Sequence, residues 1–327
     1  MIRGMYAGIS GMKSQQTKLD VIGNNLANVG TTSFKNSRVV FKDILYQNDG
    51  VASSTSEVLG GTNPKQVGLG SAVGSVDKVM SQGMMQPTGR SLDVAIDGEG
   101  YFMVSKGKVA HNDTDITLST EGKVEKSNGR EIFYTRDGSL SLDPHGYLVT
   151  SGGERVLGYS PKDGMEDNGD INFVDVNTKD LKTEPGLKTL KIPNTVKGKN
   201  GTGEKKIMSY SIGKDGVISG VVEGGGITFL GQLAVASFKN PPGLEAVGNN
   251  LYLNSANSGE AVVSSGFGET NSRGSGGEIM QGMLEMSNVD IAEQFSDLIV
   301  TSRAFQASSK IVTTTDEILQ EVVNLKR

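Results

Sequence analysis

The 327-residue chain has no cysteine, no tryptophan and only two histidines. Without cysteine there is no disulfide, no thiolate nucleophile and no sulfur-ligated zinc. His111 and His145 each stand alone in an Asp-containing turn, short of the ligand set that zinc requires. The sequence also lacks any tract of about 18 apolar residues and any apolar core of about 7–15 residues in its first 30 positions. These two absences argue against a membrane-spanning helix and a cleaved secretory signal. Basic charge is short as well: 32 Lys and Arg against 37 Asp and Glu give a net charge of −5, which argues against nucleic acid. Phosphate-loop and nucleophile-elbow patterns are missing, since Gly68 to Gly74 has one residue too many for a dinucleotide loop and no Gly-x-Ser-x-Gly occurs. Carboxylates such as Asp93 and Asp97 fall at strand ends, where any β protein supplies them. The expectation is a chain with no catalytic residues, no cofactor and no metal.

Proline and glycine are absent from particular places. The eight prolines run only from Pro64 to Pro242, and all 45 glycines lie in residues 1–282. From Ser287 to Arg327 neither occurs, and Ile291, Leu298, Phe305, Val312 and Leu319 recur at sevens. That spacing predicts one long helix, begun by a capping-box-like pair at Ser287 and Asp290. The second seam position is half polar: Phe295, Ser302, Ser309, Asp316 and Val323. The N-terminus repeats the pattern with Met5, Met12, Leu19 and Leu26 seven apart and Ile9 and Ile22 beside them; Gly8 and Gly11 allow close backbone approach and Asn28 with Gly30 forms the stop. Residues 1–30 carry a net +2 and residues 287–327 a net −2, so the two ends are expected to pair.

Between the ends the pattern is two-fold alternation closed by glycine turns, as in Leu92–Ile96, Tyr101–Val104 and Ile132–Thr135. The fold class expected is multidomain: paired terminal coiled-coil-like helices plus discontinuous, mainly-β domains. The boundaries are residues 1–30 and 284–327 for the helices, 31–75 for an extended, mostly irregular connector, 76–160 with 227–283 for an inner β domain, and 161–226 for an outer β domain. The outer region is richer in Lys, Asn, Asp and Gly, with turns at Asn168-Gly169, Asn200-Gly201 and Asp215-Gly216.

Specific words stand at the two ends. Asp20 to Val29, with Asn24, Asn25 and Asn28, followed by Thr31-Thr32-Ser33-Phe34-Lys35, resembles the N-terminal signature of the bacterial flagellar rod, hook and hook-associated proteins. Ser287-Asn288-Val289-Asp290 through Arg303, Gln306 and Lys310 resembles that family's C-terminal signature. The family usually has Asn where Gly30 stands and Gly where Ser33 stands. Within the family, Gly60 to Gly70, Thr88 to Gly100 and Asn240 to Leu251 look most like hook proteins, with a distal rod subunit as the alternative. The resemblance implies a structural subunit exported without a cleaved signal through the flagellar type III apparatus. It further implies self-assembly outside the cell into a helical homopolymer, a curved tube joining motor to filament. Rod, hook-cap and hook-filament junction proteins would be its neighbours. The seam implied for self-assembly is Met5, Ile9, Met12, Leu19, Ile22, Leu26, Ile291, Phe295, Leu298, Phe305, Val312, Leu319 and Val323.

Overall fold

The computed structural model describes residues 2–54, 60–107, 116–119, 122–126, 130–161, 171–175, 183–197, 203–263 and 277–325. His111 and the Asn168-Gly169 and Asn200-Gly201 turns lie outside them. The chain divides into two units: residues 1–30, 35–80 and 288–327 form the first, and residues 31–34 with 81–287 the second. Among the described residues, no helix is long and apolar enough to cross a membrane.

The first unit holds helix α1 (Ile2–Ala27), helix α2 (Ile291–Asn324) and, between them in sequence, strands β1 (Ser37–Asp43), β2 (Tyr46–Gly50), β3 (Lys65–Gly68) and β4 (Ser71–Lys78). At 1.5 Å per residue, the 26-residue α1 spans about 39 Å and the 34-residue α2 about 51 Å. Helix α2 starts later than the sequence suggests. Asp290 is its N-cap, the carboxylate accepting from Ala292 N at 2.8 Å and Glu293 N at 3.3 Å, so Ser287 and Asn288 remain extended lead-in. Helix α1 ends where Asn28 Nδ2 donates to Asn24 O and Oδ1, both at 2.9 Å.

Residues 35–80 differ from expectation, because the stretch read as an irregular connector is an antiparallel ribbon. Strand β1 pairs with β4 and β2 with β3, and an isolated Ser53–Thr62 bridge continues the ladder outward. None of the described residues from 36 to 80 is buried. The ribbon therefore has no buried face to impose apolar alternation on its sequence, and its paired strands are distant in sequence, from Gly50 with Lys65 out to Ser37 with Lys78, beyond the reach of a local pattern.

The second unit is a β body. Its main sheet runs through Thr195–Lys197, Glu204–Ile212, Val217–Val222, Ile227–Leu233, Arg155–Pro161, Tyr101–Lys106, Glu131–Thr135, Leu251–Leu253 and Glu245–Gly248, with antiparallel pairing throughout. The strands from residues 161–226 continue this sheet directly from Ile227–Leu233 and Arg155–Pro161. One apolar cluster includes Val94, Phe102 and Val156 together with Ile171, Leu190, Ile212 and Ile218. The polar composition of 161–226 reflects solvated strands: Glu204–Ile212 is exposed along most of its length, and Val217–Val222 buries only alternate residues. Residues 76–80, assigned from sequence to the inner β domain, lie with the helices.

Candidate assembly interface

Helices α1 and α2 run antiparallel in the first unit. Lys18 Nζ meets Asp297 Oδ2 at 3.1 Å, and Gly8 and Gly11 lie against Val312 and Ser308. A Cβ on Gly8 would stand 3.0 Å from Val312 Cγ2, and one on Gly11 3.2 Å from Ser308 Oγ. The two glycines thus set the closeness of the pair, which offsets their helix penalty of about 1 kcal/mol each. Attraction between opposite charges at the two ends is present, but the Lys18–Asp297 pair is half exposed and contributes tenths of a kcal/mol.

Each expected seam residue has a definite place. On α1, Ile22 is buried at 3% exposure and Met5, Ile9, Met12, Leu19 and Leu26 are half-buried. On α2, Leu298, Phe305, Val312 and Leu319 are half-buried. The row of α2 that is buried in the single chain lies one position before the companion row read from sequence. Gln294 and Thr301 are the buried residues of α2, with Ser308 half-buried in the same seven-residue row, whereas Ile291, Phe295 and Val323 are 48%, 49% and 64% exposed. A 3.6-residue helix drifts by about 20° per heptad against a strict seven, and Gly11 of α1 admits Ser308 where a coiled coil would seat a large apolar side chain.

Most of the apolar side chains left exposed on α2 fall into two patches. Ile291, Phe295 and Ile299 make one; Ile311, Ile318 and Val322 make the other. With about 100° per residue, the first lies roughly 110° to one side of the row facing α1 and the second roughly 90° to the other side.

The family-signature residues build the framework around this pair. Asn25, 1% exposed, treats β1 as a strand would: its Nδ2 donates to Ser37 O and its Oδ1 accepts from Ser37 N, both at 2.9 Å. The same Nδ2 donates to Gln294 Oε1 of α2 at 3.2 Å. Asn288 sits at the ribbon base, accepting from Asn36 N and donating to Val79 O, each at 2.8 Å. Lys35 is fully buried, while Arg303 and Gln306 pair on the surface at 3.2 Å. Ser287 and Val289 are half-buried in the lead-in, as Phe34 is in the loop after α1.

Sequence reasoning missed a second constellation, inside the β body. Arg136 and Glu285, 5% and 1% exposed, pair at 2.8 Å. The guanidinium also donates to the carbonyls of Ile96, Gly98 and Gly100, and Glu285 Oε1 accepts from Gly83 N. The backbone carbonyls of both residues then hold Ser33: Ser33 N donates to Glu285 O at 2.8 Å and Ser33 Oγ to Arg136 O at 2.7 Å. Thr32 Oγ1 donates to Asp137 Oδ1, and Asn250 Nδ2 to Thr32 O. Ser33 has φ +56°, the left-handed region where the family's usual glycine is unstrained. The signals available were that glycine position and the charged pair flanking apolar strands, but their meeting depends on about 150 intervening residues.

Two terminal helices with unmatched apolar patches, a coreless ribbon and a β body braced by an internal ion pair define a structural assembly subunit. Three family models match: "Flagella basal body rod protein" at residues 5–35, "Flagellar hook protein FlgE/F/G D1 domain" at 122–220 and "Flagellar basal body rod FlgEFG protein C-terminal" at 280–325. The flagellar basal-body rod protein FlgG of Bacillus subtilis is 42% identical over 327 residues, covering all of both chains. FlgG of Borreliella burgdorferi is 33% identical over 334 residues, and the flagellar hook protein FlgE of the same organism 29% identical over 468, again covering all of both chains. The chain belongs to the flagellar rod and hook family of non-catalytic axial structural proteins.

Proposed function

We propose that the chain is a rod subunit of the flagellar axis rather than a hook subunit. The observation that carries this reading is colinearity: the match to the Bacillus rod protein needs 327 positions for a 327-residue chain, whereas the match to the Borreliella hook protein needs 468. The reading is supported further by the β body. A separate outer domain was one of the features that favoured the hook, beside the segments Gly60–Gly70, Thr88–Gly100 and Asn240–Leu251, and residues 161–226 have strands that extend the main sheet.

Copies join through the terminal helices. Two different apolar patches on α2 flank the row facing α1, and two non-identical surfaces make heterologous contacts that close into rings or run on as helical polymers. The seam residues Met5, Ile9, Met12, Leu19, Ile22, Leu26, Leu298, Phe305, Val312 and Leu319 hold the pair, while Ile291, Phe295, Ile299, Ile311, Ile318 and Val322 meet neighbouring copies. The subunit reaches the outside of the cytoplasm through the flagellar export apparatus, and neighbouring axial proteins are its partners; the hook-cap and hook-filament junction contacts go with the hook reading.

Electron microscopy of the polymer tests the assignment: a straight, stiff tube is expected, and a curved, bendable tube overturns it. Ile299→Asp combined with Val322→Asp is expected to abolish polymerisation while the β body keeps its unfolding midpoint. Normal tubes from that double variant would refute the role given to the patches.

A further inference from the structure

We propose that the ribbon of residues 37–78 is a conditional element, ordered only while α1 and α2 are paired, and that Asn25 and Asn288 carry the coupling. A two-stranded ribbon alone is marginal in water, and this one buries none of its described residues. Closing it brings together chain segments distant in sequence, a cost that no core of its own offsets.

What holds the ribbon is its attachment to the helical unit. Along α1 it runs from the C-terminal end back toward the N-terminus. Ser37 pairs with Asn25, Ser71 Oγ lies 3.2 Å from Ser14 Oγ, and Gly70 lies so close to Ala7 and Ser10 that a Cβ would run into Ser10 Oγ. Asp49 then meets Arg3 at 3.2 Å. All of these need α1 to be a continuous helix over nearly its whole length. Helix α1 carries glycine at positions 4, 8, 11 and 23, each costing about 1 kcal/mol against alanine, so packing against α2 has to supply its order.

The two asparagines link these layers directly. Gln294 of α2 accepts from the same Asn25 amide nitrogen that holds Ser37, so docking of α2 fixes the Asn25 rotamer that the start of β1 requires. Asn288, two residues before the α2 N-cap, bridges Asn36 and Val79 across the ribbon base, where Val79 N also donates to Asn36 O at 2.9 Å. With α2 undocked, Asn288 leaves the base and the Asn25 amide is free to bind water. The ribbon is then built at the moment the helices pair, and the subunit gains its helical pair and its ribbon in one step.

The absence of cysteine makes the test clean. A Cβ on Gly11 would stand 3.8 Å from Ser308 Cβ, within the usual disulfide spacing of about 3.5–4.5 Å, so Gly11→Cys with Ser308→Cys gives a full-length chain whose helix pairing is switched by redox. The readout is amide exchange of residues 37–43 and 71–78 in dilute monomer. Oxidation is expected to slow that exchange by roughly tenfold or more, and reduction to restore it. Equal ribbon exchange in the oxidised and reduced chains, whether fast in both or slow in both, overturns the coupling. In the oxidised chain, adding Asn25→Ala and Asn288→Ala is expected to return fast exchange to the ribbon while α2 stays protected. A ribbon that remains protected in that variant overturns the role of the two asparagines.

Discussion

Removing the Ser33 hydroxyl separates two opposing energies that the residue carries together. The left-handed backbone costs an L-residue about 1–2 kcal/mol, and the buried bond to Arg136 O at 2.7 Å returns part of that. Ser33→Ala keeps the strain and loses the bond, leaving a carbonyl in a buried site short of a donor, for a loss of about 1–3 kcal/mol. Ser33→Gly loses the same bond but releases the strain, less about 0.5–1 kcal/mol for the greater freedom of glycine in the unfolded chain. Glycine is therefore expected to leave the protein within about 1 kcal/mol of wild type and to exceed alanine by about 1 kcal/mol. That order reverses the one found in helices, where alanine exceeds glycine. Urea unfolding followed by tyrosine fluorescence, undisturbed because there is no tryptophan, reads the difference. In a body of about 210 residues, 1 kcal/mol corresponds to about 2–4 °C in melting temperature. If the alanine variant equals or exceeds the glycine variant, the account of this loop is wrong.

Glu285→Ala leaves the Arg136 guanidinium buried without its carboxylate and should cost about 3–5 kcal/mol, read in the same unfolding experiment. The α1 glycines should respond differently from one another: Gly23→Ala, with nothing within 4 Å of the added methyl, should gain about 1 kcal/mol of helix stability, while Gly8→Ala, 3.0 Å from Val312 Cγ2, should lose that gain. Amide exchange along α1 distinguishes them. Burial pushes the Asp137 carboxyl above the usual carboxylate range, and Asp93 adds to the push against the hydrogen bonds from Ser139 and Thr32. The folded form then holds this proton more tightly than the unfolded one, so the stability present below an unfolded pKa of about 3.9 is lost as pH rises. Asp137→Asn should accordingly stabilise the body at pH 7 and show no gain near pH 3. Burial pushes Tyr101 and Tyr134 up to about 12, so their ionisation in an absorbance titration should coincide with a fall in stability between about pH 10 and 12.

How much of the structure was legible depended on how local its cause is. The two helices could be read because seven-residue spacing and the absence of glycine and proline from residues 287–327 act within a few turns. A capping-box pattern placed the start at Ser287 with Asp290 as its partner, and only the bonds from Ala292 N and Glu293 N show that Asp290 is itself the cap. The row of Gln294, Thr301 and Ser308 was not legible, since nothing marks Gln, Thr and Ser as an inward face until Asn25 meets Gln294 and Gly11 meets Ser308. The ribbon was hidden because exposure on both faces erases the alternation that marks a strand, and the division at residue 161 was suggested by polar composition that turned out to belong to solvated strand faces. Asn25 and Asn288 were found as words of a family signature, and their reasons, one mimicking a strand partner and the other closing a ribbon base, required the folded backbone.

The distribution of polarity on α2 has a thermodynamic consequence. The row nearest α1 is built from Gln294, Thr301 and Ser308, while isoleucine, phenylalanine and valine occupy the flanks. Pairing within a chain thus adds the Asn25–Gln294 hydrogen bond and close backbone approach to its half-buried apolar seam, whereas joining between chains is expected to rest on the release of water from apolar surface. The second of these is driven by entropy near room temperature and weakens on cooling. Chains joined through Ile299 and Val322 are therefore expected to separate on cooling, and salts excluded from protein surfaces to favour their joining.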